Sequence, residues 1–499
     1  LSKGSFLNMV LRAFFGALLS LLFIQLLFSE ILPGSFGSYN YQRFSFLFLA
    51  LLFGVLFFLY YFRVGFEVSF FFIAFPHLFF VFCVLSASAS ASALSGYSYS
   101  LVEPAFFSFY FCLSFFLGKL LADMGRILSA CFFFLYFAFF FCAMYGFSLI
   151  SIYIFAILDS VSDLSVFIPS GFVNIRYWSH VATWFVPLFP LAVLVGPLKN
   201  NMLLKVIMLL ASGLWWWALF LTTSRGSILG IIFGVLVVLC FFHRKAMPWL
   251  KVFLQYLFAG IVIWLLLSVA IPSFMADGVQ VRSIKTDSSG RIPLFVEAWK
   301  MSLQNFPFGM GPQSWLTHEP ITEAYATGKK FGHPHNMYLM WAAEYGWLLI
   351  AAMGLVVVQA IRNFWRRRAE LFESGDSNQL LLLAGFTASV SAALFHAGVS
   401  AVFMAPGSML VGLFVLIGFW ALILPAGDSL QEARSTANPR RRMIVAGLLS
   451  AAFLILWALW MNEVWQYYQD MRADEAYYYE HESEGTLPRF WFHGNYPRD

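Results

Sequence analysis

Charge is what this 499-residue sequence has least of. Asp, Glu, Lys and Arg make up 11% of it, against ~25% in soluble domains. So few ions cannot cover a water-facing surface on a chain that is 61% hydrophobic and carries 61 Phe and 17 Trp. A strong excess of one sign is missing too. The formal net charge of +5 calls for no nucleic-acid partner, because the positive-inside bias of membrane proteins accounts for most of it. Cysteine is scarce: Cys83, Cys112, Cys131, Cys142 and Cys240 all lie inside apolar runs. That argues against a disulfide framework or a zinc site. The short alternating segments of a membrane β-barrel are absent; continuous runs such as 130–156 and 202–222 exclude one. No small-residue cleavage site follows the first apolar stretch, which therefore reads as an anchor and not a cleaved signal. An inverted-repeat pair of interrupted helices is missing as well, which argues against a transporter.

Apolar runs are what the chain has in abundance, with a mean hydropathy of +0.78. A hydrocarbon core ~30 Å thick needs ~20 apolar residues per helix. About 13 such stretches are expected, centred on 8–28, 44–62, 68–88, 104–121, 130–156, 182–197, 202–222, 227–243, 251–272, 338–361, 380–400, 403–425 and 443–462. The fold class is an all-α polytopic membrane protein with a long external loop carrying short surface helices. Residues 1–272 form about nine spans, 273–336 the loop, 337–462 about four more spans, and 463–499 an external tail packed on the outer face. With the N-terminus inside, Arg63, Lys119, Arg126, Lys199, Arg244, Lys245, Arg366, Arg367, Arg368, Arg440, Arg441 and Arg442 fall at inner loops and helix ends, as the distribution of Lys and Arg requires.

Three constellations fall on the external side. The first is Thr222-Thr223-Ser224-Arg225-Gly226-Ser227, between two spans. An arginine so close to hydrocarbon marks either function or snorkelling to headgroups. Its planar, permanent charge suits diphosphate oxygens, and Ser227 could cap the following helix. The second is Thr286-Asp287-Ser288-Ser289-Gly290-Arg291, followed by apolar positions at helical spacing. It predicts a short amphipathic surface helix with Pro293 in its first turn; a solvated surface charge is the other account of Arg291. The tight turn Phe306-Pro307-Phe308-Gly309-Met310-Gly311-Pro312 comes next. The third is His333-Pro334-His335-Asn336 leading into an apolar run. Two histidines alone make a weak metal site, whereas one neutral imidazole at a helix mouth suits a general base near pH 7. Asn336 is placed to cap the helix or hold a sugar hydroxyl, and a plain connecting loop with incidental histidines is the alternative. Arg176, in Asn174-Ile175-Arg176-Tyr177-Trp178, is either a further phosphate or sugar contact or an interfacial anchor. Glu344 and His396 are intramembrane ionisable groups with functional or helix-bridging roles.

Taken in order, the SRG corner, SSGR, the PxGxG turn and HPHN resemble the O-antigen ligase superfamily over about 200–361. The superfamily pattern is His, then Asn, Ser or Gln, nine residues, then Gly. Here His335-Asn336 is followed by 337–345 and Gly346, so the resemblance assigns the superfamily's histidine to His335 and its two arginines to Arg225 and Arg291. It implies a glycosyltransferase of the bacterial inner membrane, needing no metal or other cofactor. The enzyme would move a glycan from undecaprenyl diphosphate to an acceptor at the periplasmic face. The acceptor would be lipid A–core for a ligase, another lipid-linked repeat for a polymerase, and a protein hydroxyl for a protein O-oligosaccharyltransferase. In this scheme His335 is the general base, Arg225 and Arg291 hold the diphosphate, and Arg176, Ser224, His333 and Asn336 line the substrate site. A transporter of lipid-linked glycans is the rival of another class.

Overall fold

The computed structural model describes residues 3–33, 39–64, 68–95, 99–159, 161, 163–275, 290–425, 439–481 and 489–491. Among them there are helices and no strand. The order is α1 (Lys3–Leu27), α2 (Tyr39–Val64), α3 (Val68–Ser95), α4 (Val102–Asp123), α5 (Ile127–Leu158), α6 (Ile175–Phe185), α7 (Leu191–Leu194), α8 (Met202–Thr222), α9 (Arg225–Phe242) and α10 (Met247–Trp264). There follow α11 (Ile271–Met275), α12 (Arg291–Gln304), α13 (Ser314–Thr317), α14 (Glu323–Ala326), α15 (Met337–Tyr345), α16 (Trp347–Ser374), α17 (Ser377–Ala397), α18 (Pro406–Ile423) and α19 (Pro439–His481). Of the sequence landmarks, Thr286, Asp287, Ser288 and Ser289 of the second constellation and Phe492, His493 and Gly494 of the tail lie outside the described residues.

Among the described residues, eleven helical stretches are long and apolar enough to cross a membrane. The figure differs from the expected 13 at two places. Helix α1 (Lys3–Leu27) enters that count only from Arg12 to Leu27, as a shorter apolar helix, and Arg225–Phe274 is a single stretch of 50 residues. At 1.5 Å per residue, 50 residues would run ~75 Å, far beyond one bilayer. The stretch is in fact interrupted after Phe242, where His243 takes a φ of 45° and a 3₁₀ turn runs to Ala246. Helix α18 sits at the centre of the bundle, with 94% of its apolar window buried, and α19 at the edge, with 11%.

One expected span needs correcting. The run 338–361 is not a single helix. It breaks at Gly346, whose φ of 86° and ψ of 172° are open essentially to glycine alone. The break serves the turn 306–311. Met310 N donates to Ala343 O (2.8 Å), Gly311 N to Glu344 O (2.8 Å) and Leu348 N to Pro307 O (3.4 Å). The last carbonyls of α15, which no helix can satisfy internally, thus find donors in the 306–311 turn. The backbones approach so closely that a Cβ on Gly346 would collide with the Pro307 carbonyl, and one on Gly309 would lie 2.5 Å from Gly346 N.

The 290–336 loop forms a small core with α15, made of Leu294, Ala298, Met301, Trp315, Tyr325 and Ala343. Buried Glu297 ties it together. Its oxygens accept from Ile321 N (2.6 Å), Thr322 N (2.9 Å) and Thr322 Oγ1, and His318 Nε2 lies 2.9 Å away. Burial alone would raise this carboxyl, but the bonds from Thr322, the Ile321 amide and His318 hold it below its usual range. The opposite flank of α12 presents Ile292, Val296, Trp299 and Leu303 outward, the amphipathic surface helix expected from the spacing.

Candidate active site

Four helices each carry a candidate residue in or beside the first turn. Arg225 is the first residue of α9, after Thr223 turns the chain at a φ of 48°. Arg291 is the first residue of α12, after Gly290 at a φ of 69°. Arg176 is the second residue of α6, its N–H donating to Asn174 Oδ1 (2.8 Å). His335 precedes the N-cap of α15, where Asn336 Oδ1 accepts from Leu339 N (3.1 Å). Capping is thus the structural role of Asn336. Ser227 does not cap α9, contrary to expectation. Ser224 holds the cap position without a side-chain cap bond, and Ser227 Oγ donates to Ser179 O (3.1 Å) on α6. A serine three residues inside a helix faces its neighbour, not the free N–H groups ahead of it.

The helix macrodipole opposes a cation at an N-terminus. Three arginines in three such turns are therefore arranged against the local preference, and an anion is the species that such a place attracts. Burial and the charges of Arg176 and Arg225 push Arg291 below its ordinary value. No acidic side chain among the described residues pairs with Arg291. Burial, then Arg291, then Arg176, push His335 down to about 3, so its imidazole is neutral at pH 7. The structure thus places Arg176, Arg291 and His335 within electrostatic reach of one another, and Arg225 within reach of Arg291.

His335 is 6% exposed and its Nδ1 has no hydrogen-bond partner among the described residues. Its backbone sits at a φ of 57°, the left-handed region, which costs about 1–2 kcal/mol for a residue with a Cβ. His333 supports that turn: its Nδ1 accepts from His335 N (3.1 Å), and the two rings meet edge to face at 4.4 Å. The HxH pair is thus a local scaffold in which only His335 keeps a free Nδ1. Among the described residues no three His, Cys, Asp or Glu side chains gather as a metal site.

A second polar layer lies behind the arginines. His180 Nε2 meets Ser400 Oγ (2.7 Å), His396 Nδ1 meets Thr183 Oγ1 (3.0 Å), and the two rings stand 4.9 Å apart. His396 therefore bridges helices. It also explains the glycine of the SRG corner, because a Cβ on Gly226 would lie 2.8 Å from His396 Cδ2. His180 was legible only as the residue four places after Arg176, on the same helix face. Glu344 is wholly buried and joins Glu103 and Arg489 in an ion network. Neither Glu103 nor Arg489 carries a signal in sequence beyond a lone charge beside aromatic residues.

The fold and site define a multi-pass membrane protein, all-helical over the described residues, with arginine charges acting on a neutral histidine. Residues 207–354, which contain Arg225, Arg291, His335 and Gly346, match the model of the family described as O-antigen ligase. Over that stretch the chain is similar to the O-antigen ligase superfamily. Such a family implies a glycosyltransferase-type enzyme with a lipid-linked glycan and an acceptor as substrates. No curated protein matches the chain.

Proposed function

We propose that the protein is an O-antigen ligase that transfers an undecaprenyl-diphosphate-linked glycan to lipid A–core at the periplasmic face of the inner membrane. The observation that carries this reading is that Arg176 and Arg291 act on neutral His335, and Arg225 on Arg291, from chain segments far apart in sequence. Arg225 and Arg291 grip the diphosphate, and Arg176 widens the anion site. His335 Nδ1 takes the proton of the acceptor hydroxyl as that oxygen attacks C1. The new C1–O bond forms as the old one to the diphosphate breaks, which inverts the anomeric centre and releases undecaprenyl diphosphate. Charge growing on the leaving group meets guanidinium groups already in place, the arrangement that stabilises a transition state without reorganisation.

A base held near 3 is a weak proton acceptor. Two of the three causes of that depression are the arginine charges, which a bound diphosphate offsets. Donor binding therefore raises the basicity of His335 just when it is needed. The inner-membrane and periplasmic placement rests on the basic groups at the far end of the bundle. Arg244 and Lys245 follow α9, and Arg368 donates to Phe241 O beside them. Helix α9 is 18 residues long, so that end lies ~27 Å from Arg225.

The test is transfer in liposomes with lipid-linked glycan and three acceptors: lipid A–core, a second lipid-linked glycan, and an acceptor protein. Transfer to lipid A–core, unaffected by EDTA, is expected. Transfer only to one of the others reassigns the enzyme to polymerase or protein O-oligosaccharyltransferase. Activity that EDTA abolishes and magnesium restores would refute the arginine-only neutralisation.

A further inference from the structure

The residues Arg489-Phe490-Trp491 belong to the tail expected to pack on the outer face, and they insert among helix ends. All three are buried, at 0%, 1% and 0% exposure. Trp491 stacks on Tyr467 of α19 and packs against Phe44, while Phe490 packs edge-on to Phe106. The Arg489 carbonyl accepts from Tyr39 (2.7 Å) and Arg43 (3.2 Å) at the start of α2. The guanidinium is used on three sides. Nε and Nη2 form a fork on Glu103 at the start of α4 (3.2 and 3.0 Å), Nη2 also donates to Glu344 Oε2, and Nη1 donates to Gly332 O (3.2 Å). Glu344 Oε1 in turn accepts from Trp315 N (3.1 Å).

Two of those contacts bracket the histidine turn. Gly332 precedes His335 by three residues, and Glu344 follows it on α15. A left-handed, half-satisfied His335 persists only where its surroundings over-determine it, and two anchors on either side of the turn do that. Taking ionisable groups out of water is expensive, so such a network is weak grounds for stability alone. Its bond to a main-chain carbonyl beside His333 points to placement instead.

We propose that Arg489 is a positioning residue, through which the returning C-terminal segment sets the His333–His335 turn. The proposal deepens the glycosyl-transfer reading and rests on it for its kinetic consequence, though not for its structural one. Arg489→Lys keeps the charge but cannot fork on Glu103 and reach Gly332 O together. Should that variant fail to fold, Arg489→Met with Glu103→Gln and Glu344→Gln removes every charge of the network while still losing the Gly332 anchor.

The experiment has two arms on the full chain in detergent. In the first, diethyl pyrocarbonate modification is followed at His335 and at His318 by mass spectrometry. The His318 side chain is buried too, but it is held by Glu297 within the loop's core. Modification of His335 should accelerate roughly tenfold through local opening, with His318 unchanged. In the second arm kcat should fall on the order of 10- to 100-fold, as for a misplaced reacting group, while the KM for lipid-linked donor stays near the wild-type value. Unchanged modification of His335 in both variants, or a parallel rise at His318, overturns the proposal. A wild-type protein without transferase activity, but with the modification response intact, removes the transfer reading and leaves the positioning role supported.

Discussion

His335 bears two local penalties, a left-handed backbone and a buried Nδ1 without a partner among the described residues. A position that could be filled without either penalty retains both only if the imidazole is used. His335→Ala should lower kcat by about 10²–10⁴-fold, the usual range for a general base. His333→Ala, which removes only the acceptor for the His335 amide, should cost much less; equal losses in steady-state assays would make the pair a single unit. At Arg225 and Arg291, Lys keeps charge but loses the planar fork. The Lys variants should retain a little turnover and the Ala variants almost none; near-wild-type initial rates for either Ala variant would remove that arginine from the site. The pH profile follows with a definite sign. The free enzyme holds His335 down to about 3 through burial, Arg291 and Arg176, and a bound diphosphate weakens the arginine contribution. The acid limb of kcat, which reports the bound state, should therefore lie at higher pH than that of kcat/KM, which reports the free enzyme. Coincident limbs would mean that the arginines and the diphosphate do not meet beside His335.

At the scale of elements, the spacing from His335-Asn336 to Gly346 has a plain cause. The nine intervening residues are α15 itself, a helix just long enough to carry its last carbonyls under the 306–311 turn. Gly346→Ala would place a methyl group against the Pro307 carbonyl at a backbone angle closed to alanine. A loss of about 1–3 kcal/mol is expected from the backbone alone, read as a lower melting temperature and faster proteolysis of the 290–336 loop. The long apolar helices, the surface helix α12 and the helix mouth at His335 were legible because each follows from periodicity or a capping residue. The break at Gly346 was not, because the apolar pattern runs straight through it and only the docked turn reveals it. The role of Ser227 was misread because a serine at a corner signals a cap locally, while its partner, Ser179, lies 48 residues away. The network of Arg489 was invisible for the same reason on a larger scale: its partner Glu103 is 386 residues distant, and no local rule pairs lone charges across a chain.

For the molecule as a whole, the topology is open to direct test. With Cys240, the exposed cysteine, replaced by Ala, a cysteine at Lys300 and one at Arg244 should react with a membrane-impermeant maleimide from opposite sides. Labelling from the same side would end the proposed orientation. The arginine cluster has a consequence for stability that runs opposite to its consequence for activity. Arg291 sits in the field of Arg176 and Arg225, so the ligand-free protein stores repulsion that its folded state must bear. Removing one charge should relax it: Arg291→Gln is expected to melt at a higher temperature than the wild type while transferring no glycan, the exchange of robustness for function known at many active sites. Inorganic diphosphate should raise the melting temperature of the wild type and leave that of Arg291→Gln nearly unmoved. At a hundredfold excess over its dissociation constant a ligand adds about 2.7 kcal/mol. The diphosphate is thus expected to be substrate and stabiliser at once.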